Sequence, residues 1–532
     1  MKTRESVKSL LGGFPLTAEL YWLLRQNGKP PRTGFRLEKL KNRLPVMVEE
    51  AKMAARTTPK RKRVCIFSTL HYWISHGTVL ALALAGLGHD VTLVYTPYGD
   101  SKRAINPFDL RRQELYARKV LSLTYPILRA VSFLKRPLAM VTLTKELQAA
   151  IDELSVRDTQ YLLQIEDFDR EHPLFRLRKH RNRNVALNAL RFFREHNPDV
   201  VIIPNGSILE FGSVYQVVRW LSLPVVTYEF GEQRDHLWLA QNKEVMRQET
   251  DELWEAHGGR DLQADQLDRI RGLMAARQRG DLWGNFARRW QGAESRGGAQ
   301  VRGQLQLDDR PIVLLATNVI GDSLTLGRQV FSESMTEWLI RTIKYFNDHP
   351  EVQLVIRIHP GELVTQGPSV AQVVQRIYPQ GLPQHIHLVA ADDRTNTYDL
   401  VEIADYGLVY TTTVGLEMAM SGLPVVVVGR THYRGKGFTI DPESWENYFE
   451  VLNSLNLEPG RFRLTQDQVR RSWEYAYRFF FEYPFPFPWH LLHLWEDLAT
   501  WPVHRVLGDE GKEKYGKTFA YLTGEPIEWR SG

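Results

Sequence analysis

The segment Val409–Gly429, VYTTTVGLEMAMSGLPVVVVG, sets three threonines, a glycine and a glutamate between two apolar runs. Hydroxyls and backbone N–H groups at a helix start that follows a strand suit an anion such as phosphate. Thr413 alone would serve as a helix N-cap. Thr411, Thr412 and Thr413 together exceed that need, and Gly415 weakens a helix interior, so the turn is expected to hold a phosphate. Glu417, in the first turn of the helix, is not spaced from Thr413 as a capping box requires. Its carboxylate suits ribose hydroxyls, or simply the helix dipole.

Other polar residues follow apolar runs in the same way. VIRIHP ends in Arg357, His359 and Pro360; the proline holds His359 extended, where an imidazole can donate to a phosphate or a glycosidic oxygen. LLATN ends in Asn318, with Asp322 shortly after, and either could be a turn residue. RTHYRGKGFT, after Gly429, reads as a mobile cationic loop carrying Arg430, His432, Arg434 and Lys436. Nearer the start, FSTLHYWISHG places His71 and His76 on an expected loop. IIPNGS and TYEFGEQRD supply Asn205, Ser207, Glu229 and Asp235. A carboxylate among these could take a proton from an acceptor hydroxyl. Nucleotide P-loop, dinucleotide, zinc-protease and nucleophile-elbow motifs do not occur, and the aspartate pairs in ADDRT and LDDR read as turn and lead-in, so no metal site is expected.

The elements that must position these residues are short, continuous apolar runs alternating with helical patterns. RVCIFSTL, HDVTLVYTP, PDVVIIPNG and PVVTYEFG precede a polar stretch, and RPIVLLATN, VQLVIRIHP, HIHLVA, YGLVYTT and PVVVVG follow it. Strands without alternation are buried on both faces, as in parallel sheets flanked by helices. Ligands of such sheets sit at the carboxyl ends of the strands. The expected organisation is a basic helical extension (1–60), a first Rossmann-like domain (61–242) with a helical insertion at about 103–196, a helical linker (243–304), a second Rossmann-like domain (305–455) and an aromatic helical tail (456–532).

At 532 residues, 43% hydrophobic and 24% charged, the composition is that of a globular protein of more than one domain. A single cysteine, Cys65, excludes an internal disulfide framework and points to a reducing compartment. No apolar run reaches the ~20 residues of a membrane span, and MKTRESVKSLLGGFPLTAEL is too charged for a secretory signal; a cytoplasmic protein is expected. The formal net charge is +6, with basic clusters in KPPRTGFRLEKLKNR, KRKR (Lys60–Arg63) and FRLRKHRNR. These read as solvated surface, or as a peripheral hold on anionic lipid or a polyanionic product; nucleic acid is not expected.

IRIHPGE followed by YDLVEIADYGLVYTTTVGLEMAMSGLPVVVVGRTHYRGKGFT resembles the bacterial capsule polysaccharide biosynthesis proteins, relatives of the capsule Kdo transferases. The resemblance is dense over about 310–449, thinner over 63–242, and absent from the ends. SHGTVLALALAGLGHD adds a pattern found in many nucleotide-sugar transferases. The resemblance implies an α/β GT-B fold, two Rossmann-like domains facing a cleft. It also implies a metal-independent glycosyltransferase with no cofactor beyond a nucleotide-sugar co-substrate, CMP-linked in the Kdo branch. The acceptor would be a glycan or glycolipid, with association at the inner membrane face or with capsule assembly. By that likeness His359 and Thr411–Thr413 contact the donor phosphate and Glu417 holds the ribose; Asn318, Arg357, Gly415 and Lys436 belong to the same side. The base is sought among Glu229, Asp235 and His76. Rival readings are a nucleotide-sugar epimerase or polyol-phosphate transferase on the same fold, a non-catalytic assembly or export factor, and a polyanion-binding module.

Overall fold

Apolar runs without alternation do form parallel strands. The computed structural model describes residues 2–26, 29–56, 61–134, 141–286, 293–457 and 463–529. Lys60 of the basic run and part of the stretch between the two strand groups lie outside the described residues. The chain divides into two units. The first comprises Met1–Leu162, Asp169–Met246 and Phe485–Ile527; the second comprises Leu163–Phe168, Arg247–Pro484 and Glu528–Gly532.

The first unit holds β1 (Arg63–Thr69), β2 (Asp90–Thr96), β3 (Arg129–Ser132), β4 (Val200–Pro204), β5 (Val225–Glu229) and β6 (His236–Gln241). A two-residue strand, Phe485–Pro486, pairs antiparallel on β6. The core order is β3-β2-β1-β4-β5, the Rossmann order, with these five strands parallel. Two elements depart from the expected helix-and-parallel-sheet reading. β3 lies inside the stretch 103–196 expected to be helical, and its short RAVS run is only partly buried, which leaves little apolar signal. β6 runs antiparallel to β5 and shows the half-buried period of two, with Leu237 and Leu239 inside. The aromatic segment 485–527 belongs to this unit, where Phe487, Trp489 and Phe519 are buried.

The helix after β1 begins at His71, because Leu70 turns the chain in a single residue at φ 62°. His71 and His76 are therefore helical, correcting their expected place on a loop. This helix, His71–Gly86, is buried from Trp73 to Gly86 and packs against the helix Glu38–Ala55.

The second unit holds β7 (Ile312–Ala316), β8 (Gln353–Arg357), β9 (Ile386–Val389), β10 (Tyr406–Val409) and β11 (Val425–Val427). All are parallel, in the order β11-β10-β7-β8-β9. Counted within the unit this is again the Rossmann order, so the strand sequence reverses direction between β7 and β10. Val313, Leu315, Leu354, Ile356 and Leu408, all fully buried, belong to the sheet's share of one core. Helices Ala264–Arg279 and Gln466–Tyr477 also belong to this unit. No described helix is long and apolar enough to cross a membrane.

Candidate functional site

Register, rather than sequence distance, assembles the site of the second unit. Val409 pairs with Ala316, and Ala316 with Arg357, so these three stand in one row across β10, β7 and β8. Thr411, Asn318 and His359 each lie two residues past that row, at the carboxyl edge of the sheet where the strand order reverses. Two hydrogen bonds tie the three loops together: Thr411 N–H donates to Asn318 Oδ1 (3.1 Å), and His359 N–H to Thr317 Oγ1 (3.1 Å). With two strand spacings between β10 and β8, the threonine turn and His359 stand about 10 Å apart at backbone level.

Within the turn the threonines differ. Thr411 is buried and its Oγ1 donates to the Leu324 carbonyl (2.9 Å). Thr412 and Thr413 are partly exposed, and among the described residues neither their hydroxyls nor their N–H groups are hydrogen-bonded. Thr413 does not cap the helix Val414–Met420 with its side chain. The turn is fixed from the other side, where the buried Tyr433 hydroxyl donates to the Thr412 carbonyl (2.6 Å). Gly415 is needed for that clasp: a Cβ there would overlap the Tyr433 hydroxyl and come within 2.8 Å of Val409 Cγ2.

His359 is partly exposed, and its Nδ1 accepts from Gly361 N–H (2.9 Å). A backbone N–H only donates, so the ring's proton sits on Nε2. Lost hydration, and then the Arg357 charge, hold its pKa down to about 4, so the ring is neutral at physiological pH with Nε2–H as its donor. Arg357 itself is buried, and burial lowers its pKa. Its Nη1 donates to the Ala390 carbonyl (2.6 Å), toward the β9 end rather than the threonine turn. Asn318 is buried and serves Thr411; Asp322 accepts from Ser323 N–H (2.7 Å) in a turn.

Glu417 is buried, and both its oxygens are engaged. Oε1 accepts from Arg277 Nη1 (2.7 Å) and Oε2 from the Tyr398 hydroxyl (2.7 Å). Arg277, on the helix Ala264–Arg279, and Tyr398 were not legible as partners in the sequence, since 140 and 19 residues separate them from Glu417.

The loop after β11 is not the mobile cationic loop expected. Arg434 donates to Pro442 O (2.6 Å) and pairs with Glu443 (2.8 Å). Lys436 is buried and paired with Asp251, and His432 is buried in a stack on Phe479 at 3.7 Å. Charges that deep are retained only when paired, which withdraws Lys436 from the threonine turn. Arg430 remains exposed.

In the first unit, Glu229 ends β5 at the carboxyl edge, partly exposed. Asn205 Nδ2 donates to its Oε2 (2.9 Å) and Phe230 N–H to its Oε1 (3.0 Å). Asn205 and Gly206 turn the chain after β4 at φ 61° and 81°, and Asn205 Oδ1 accepts from the Ser207 hydroxyl (2.6 Å). The structure thus joins Asn205, Ser207 and Glu229. It also reveals a support the sequence concealed: Asp158 accepts from Leu209 N–H (2.6 Å), and buried Arg178 bridges Asp158 (3.2 Å) and Glu210 (3.0 Å). Asp235 lies past the β5 end, bonded to His236 Nδ1 (2.7 Å). Burial would raise its pKa, but the His236 hydrogen bond and charge bring it below the usual value.

His76 stands apart from these. It is fully buried, its ring nitrogens lie 3.1 Å from the Tyr228 hydroxyl and 3.2 Å from the Trp489 carbonyl, and burial pushes its pKa down to about 3. It is placed as a neutral core histidine.

Residues 280–452 match the family model described as capsule polysaccharide biosynthesis protein. No curated protein matches the sequence. Among solved structures, a β-Kdo 2,4 transferase, KpsC of Thermosulfurimonas dismutans, is similar at 16% identity over 53% of this chain and 80% of that one, with a TM-score of 0.33. The UDP-GlcNAc 2-epimerase of Neisseria meningitidis is similar at 12% identity over 80% and 99%, TM-score 0.24. A sucrose-phosphate synthase of Thermosynechococcus elongatus is similar at 12% identity over 87% and 100%, TM-score 0.26.

Proposed function

Because residues 280–452 match the family model of the capsule polysaccharide biosynthesis proteins, we propose that the chain is a glycosyltransferase of surface polysaccharide assembly, using a nucleotide-activated sugar. The observation that carries this reading is the threonine turn. Two hydroxyls and two backbone N–H groups of Thr412 and Thr413 have no hydrogen-bond partner among the described residues. They stand level with His359 at the strand-order reversal, the position where open α/β sheets take their ligands.

In this proposal the acceptor hydroxyl oxygen attacks the anomeric carbon, the bond from that carbon to the donor phosphate oxygen breaks, and the acceptor proton passes to Glu229. The charge left on the phosphate is met by the Thr412 and Thr413 amides and by the Nε2–H of neutral His359. Glu417, held by Arg277 and Tyr398, is proposed to face the ribose. A CMP-linked donor is the first to test; the acceptor is proposed to be a glycan or glycolipid, met at the cytoplasmic face of a membrane.

A thermal-shift panel of CMP, UDP, GDP and their sugars tests the donor side. A true ligand at 100 times its dissociation constant adds about 2.7 kcal/mol of stability. The Thr412→Val/Thr413→Val variant should lose that shift while keeping its own unliganded Tm. If no nucleotide shifts the wild-type protein, the proposal fails.

A further inference from the structure

Residues 7–24 reverse the usual amphipathic arrangement. The helices Lys2–Gly13, Thr17–Tyr21 and Trp22–Gln26 lie along the helix Pro107–Leu121. A surface helix ordinarily turns its apolar stripe to the core; this arm turns polar groups inward. Lys8 pairs with Asp109 (2.7 Å), Glu19 accepts from Arg111 Nε (3.1 Å), and Gln26 accepts from buried Arg112 Nε (2.7 Å).

Ala18 is buried and the Trp22 ring packs on Tyr116 at 6.2 Å, but the other large apolar side chains face out. Val7, Leu10, Leu11 and Phe14 follow helical spacing, as do Leu16, Leu20, Leu23 and Leu24, and all are exposed, Leu10 by 66%, Leu23 by 71% and Leu24 by 79%. With Tyr21 they make nine of the nineteen large apolar side chains exposed among the described residues, gathered in eighteen positions. A concentration of that kind marks a surface that another apolar phase covers.

Charge identifies that phase. Directly after the apolar stretch, Arg25, Lys29, Arg32, Arg36, Lys39, Lys41 and Arg43 are all exposed, with Glu38 the one acid among them. Residues 1–43 hold ten Lys and Arg against three Glu, an excess of seven against the formal +6 of the whole chain. A second copy docking here would bring the same positive field against itself, which opposes self-association. An anionic bilayer supplies both counterparts: acyl chains for the leucines and headgroup charge for the arginines and lysines.

We propose that residues 7–26 and 29–43 form a peripheral membrane anchor, laying the Val7–Leu24 stripe into the surface of an anionic bilayer while Arg25, Lys29, Arg32, Arg36, Lys39, Lys41 and Arg43 hold the headgroups. The arm would bind the same surface whether or not the second unit takes a nucleotide-sugar. Flotation of the full chain with vesicles tests it. The protein should float with phosphatidylcholine vesicles containing about one-third phosphatidylglycerol, and should be released by high salt. It should not float with pure phosphatidylcholine. L10E/L23E/L24E should weaken binding by at least about 100-fold, and R32E/R36E/K39E by at least about 10-fold. Both variants should keep the wild-type Tm, because the altered side chains are exposed. No flotation of the wild type, equal flotation on neutral vesicles, or variants that bind like the wild type would overturn the anchor. So would a wild-type dimer that L10E/L23E/L24E converts to monomer, since the stripe would then be a self-interface.

Discussion

At the scale of single residues, protonation decides what each candidate can do. Gly361 N–H fixes the proton of His359 on Nε2, and the ring stays neutral down to about pH 4. It is therefore a hydrogen-bond donor that does not change charge in the working range. Glu229 is the opposite kind of group: exposed enough to be reached and oriented by the Asn205 amide and Phe230 N–H. Glu229→Gln keeps the shape and removes the base. Transfer should fall by about 10²–10⁴-fold in kcat, while the nucleotide thermal shift remains at its wild-type size. A variant with unchanged kcat would move the base elsewhere, with Asp235 the next residue to replace. His76, chosen from the sequence for the same role, sits under Tyr228 and Trp489; its position in the chain gave no sign of the aromatic layer folded over it.

At the scale of elements, the threonine turn depends on close approach between two loops. The Tyr433 hydroxyl reaches the Thr412 carbonyl through the space that a side chain at 415 would fill. Gly415→Ala should cost about 1–3 kcal/mol through overpacking and should abolish the nucleotide shift, because the turn must move to admit the methyl group. Urea unfolding and the ligand panel on one protein preparation read both effects; a variant with wild-type stability and wild-type nucleotide shift would contradict the clasp. The strands that carry the turn were readable, since continuous apolar runs such as VQLVIR and YGLVY can only be doubly buried. β3 was not, because an edge strand of four partly buried residues carries almost no pattern. β6 could have been found from the alternation in HLWLAQ, with Leu237 and Leu239 turned inward.

At the scale of the whole molecule, histidines held neutral set a pH limit in each unit. His76 and His89 in the first unit and His359 in the second have pKa values pushed down to about 3, 4 and 4. Such a group binds fewer protons folded than unfolded. Its contribution is full above the unfolded pKa of about 6.5 and is lost as pH falls toward the folded value. For His76 the loss is about 2 kcal/mol at pH 5. Denaturant unfolding at pH 7 and pH 5 should show a clear drop; equal stability at the two values would mean these rings are not held neutral.

Residue types alone point to two α/β units, to every strand of their parallel cores except β3, and to the threonine turn, because burial on both faces writes a continuous apolar run into the chain. They also mark His359, through its place after such a run. Which of these residues are available for chemistry was set by long-range packing. Strand register set Thr411, Asn318 and His359 level with one another, long-range pairing engaged Glu417 and withdrew Lys436, and packing turned the leucines of residues 7–24 outward. Those outcomes depend on partners as far as 185 residues away, and no local pattern of residue types encodes which partner will arrive.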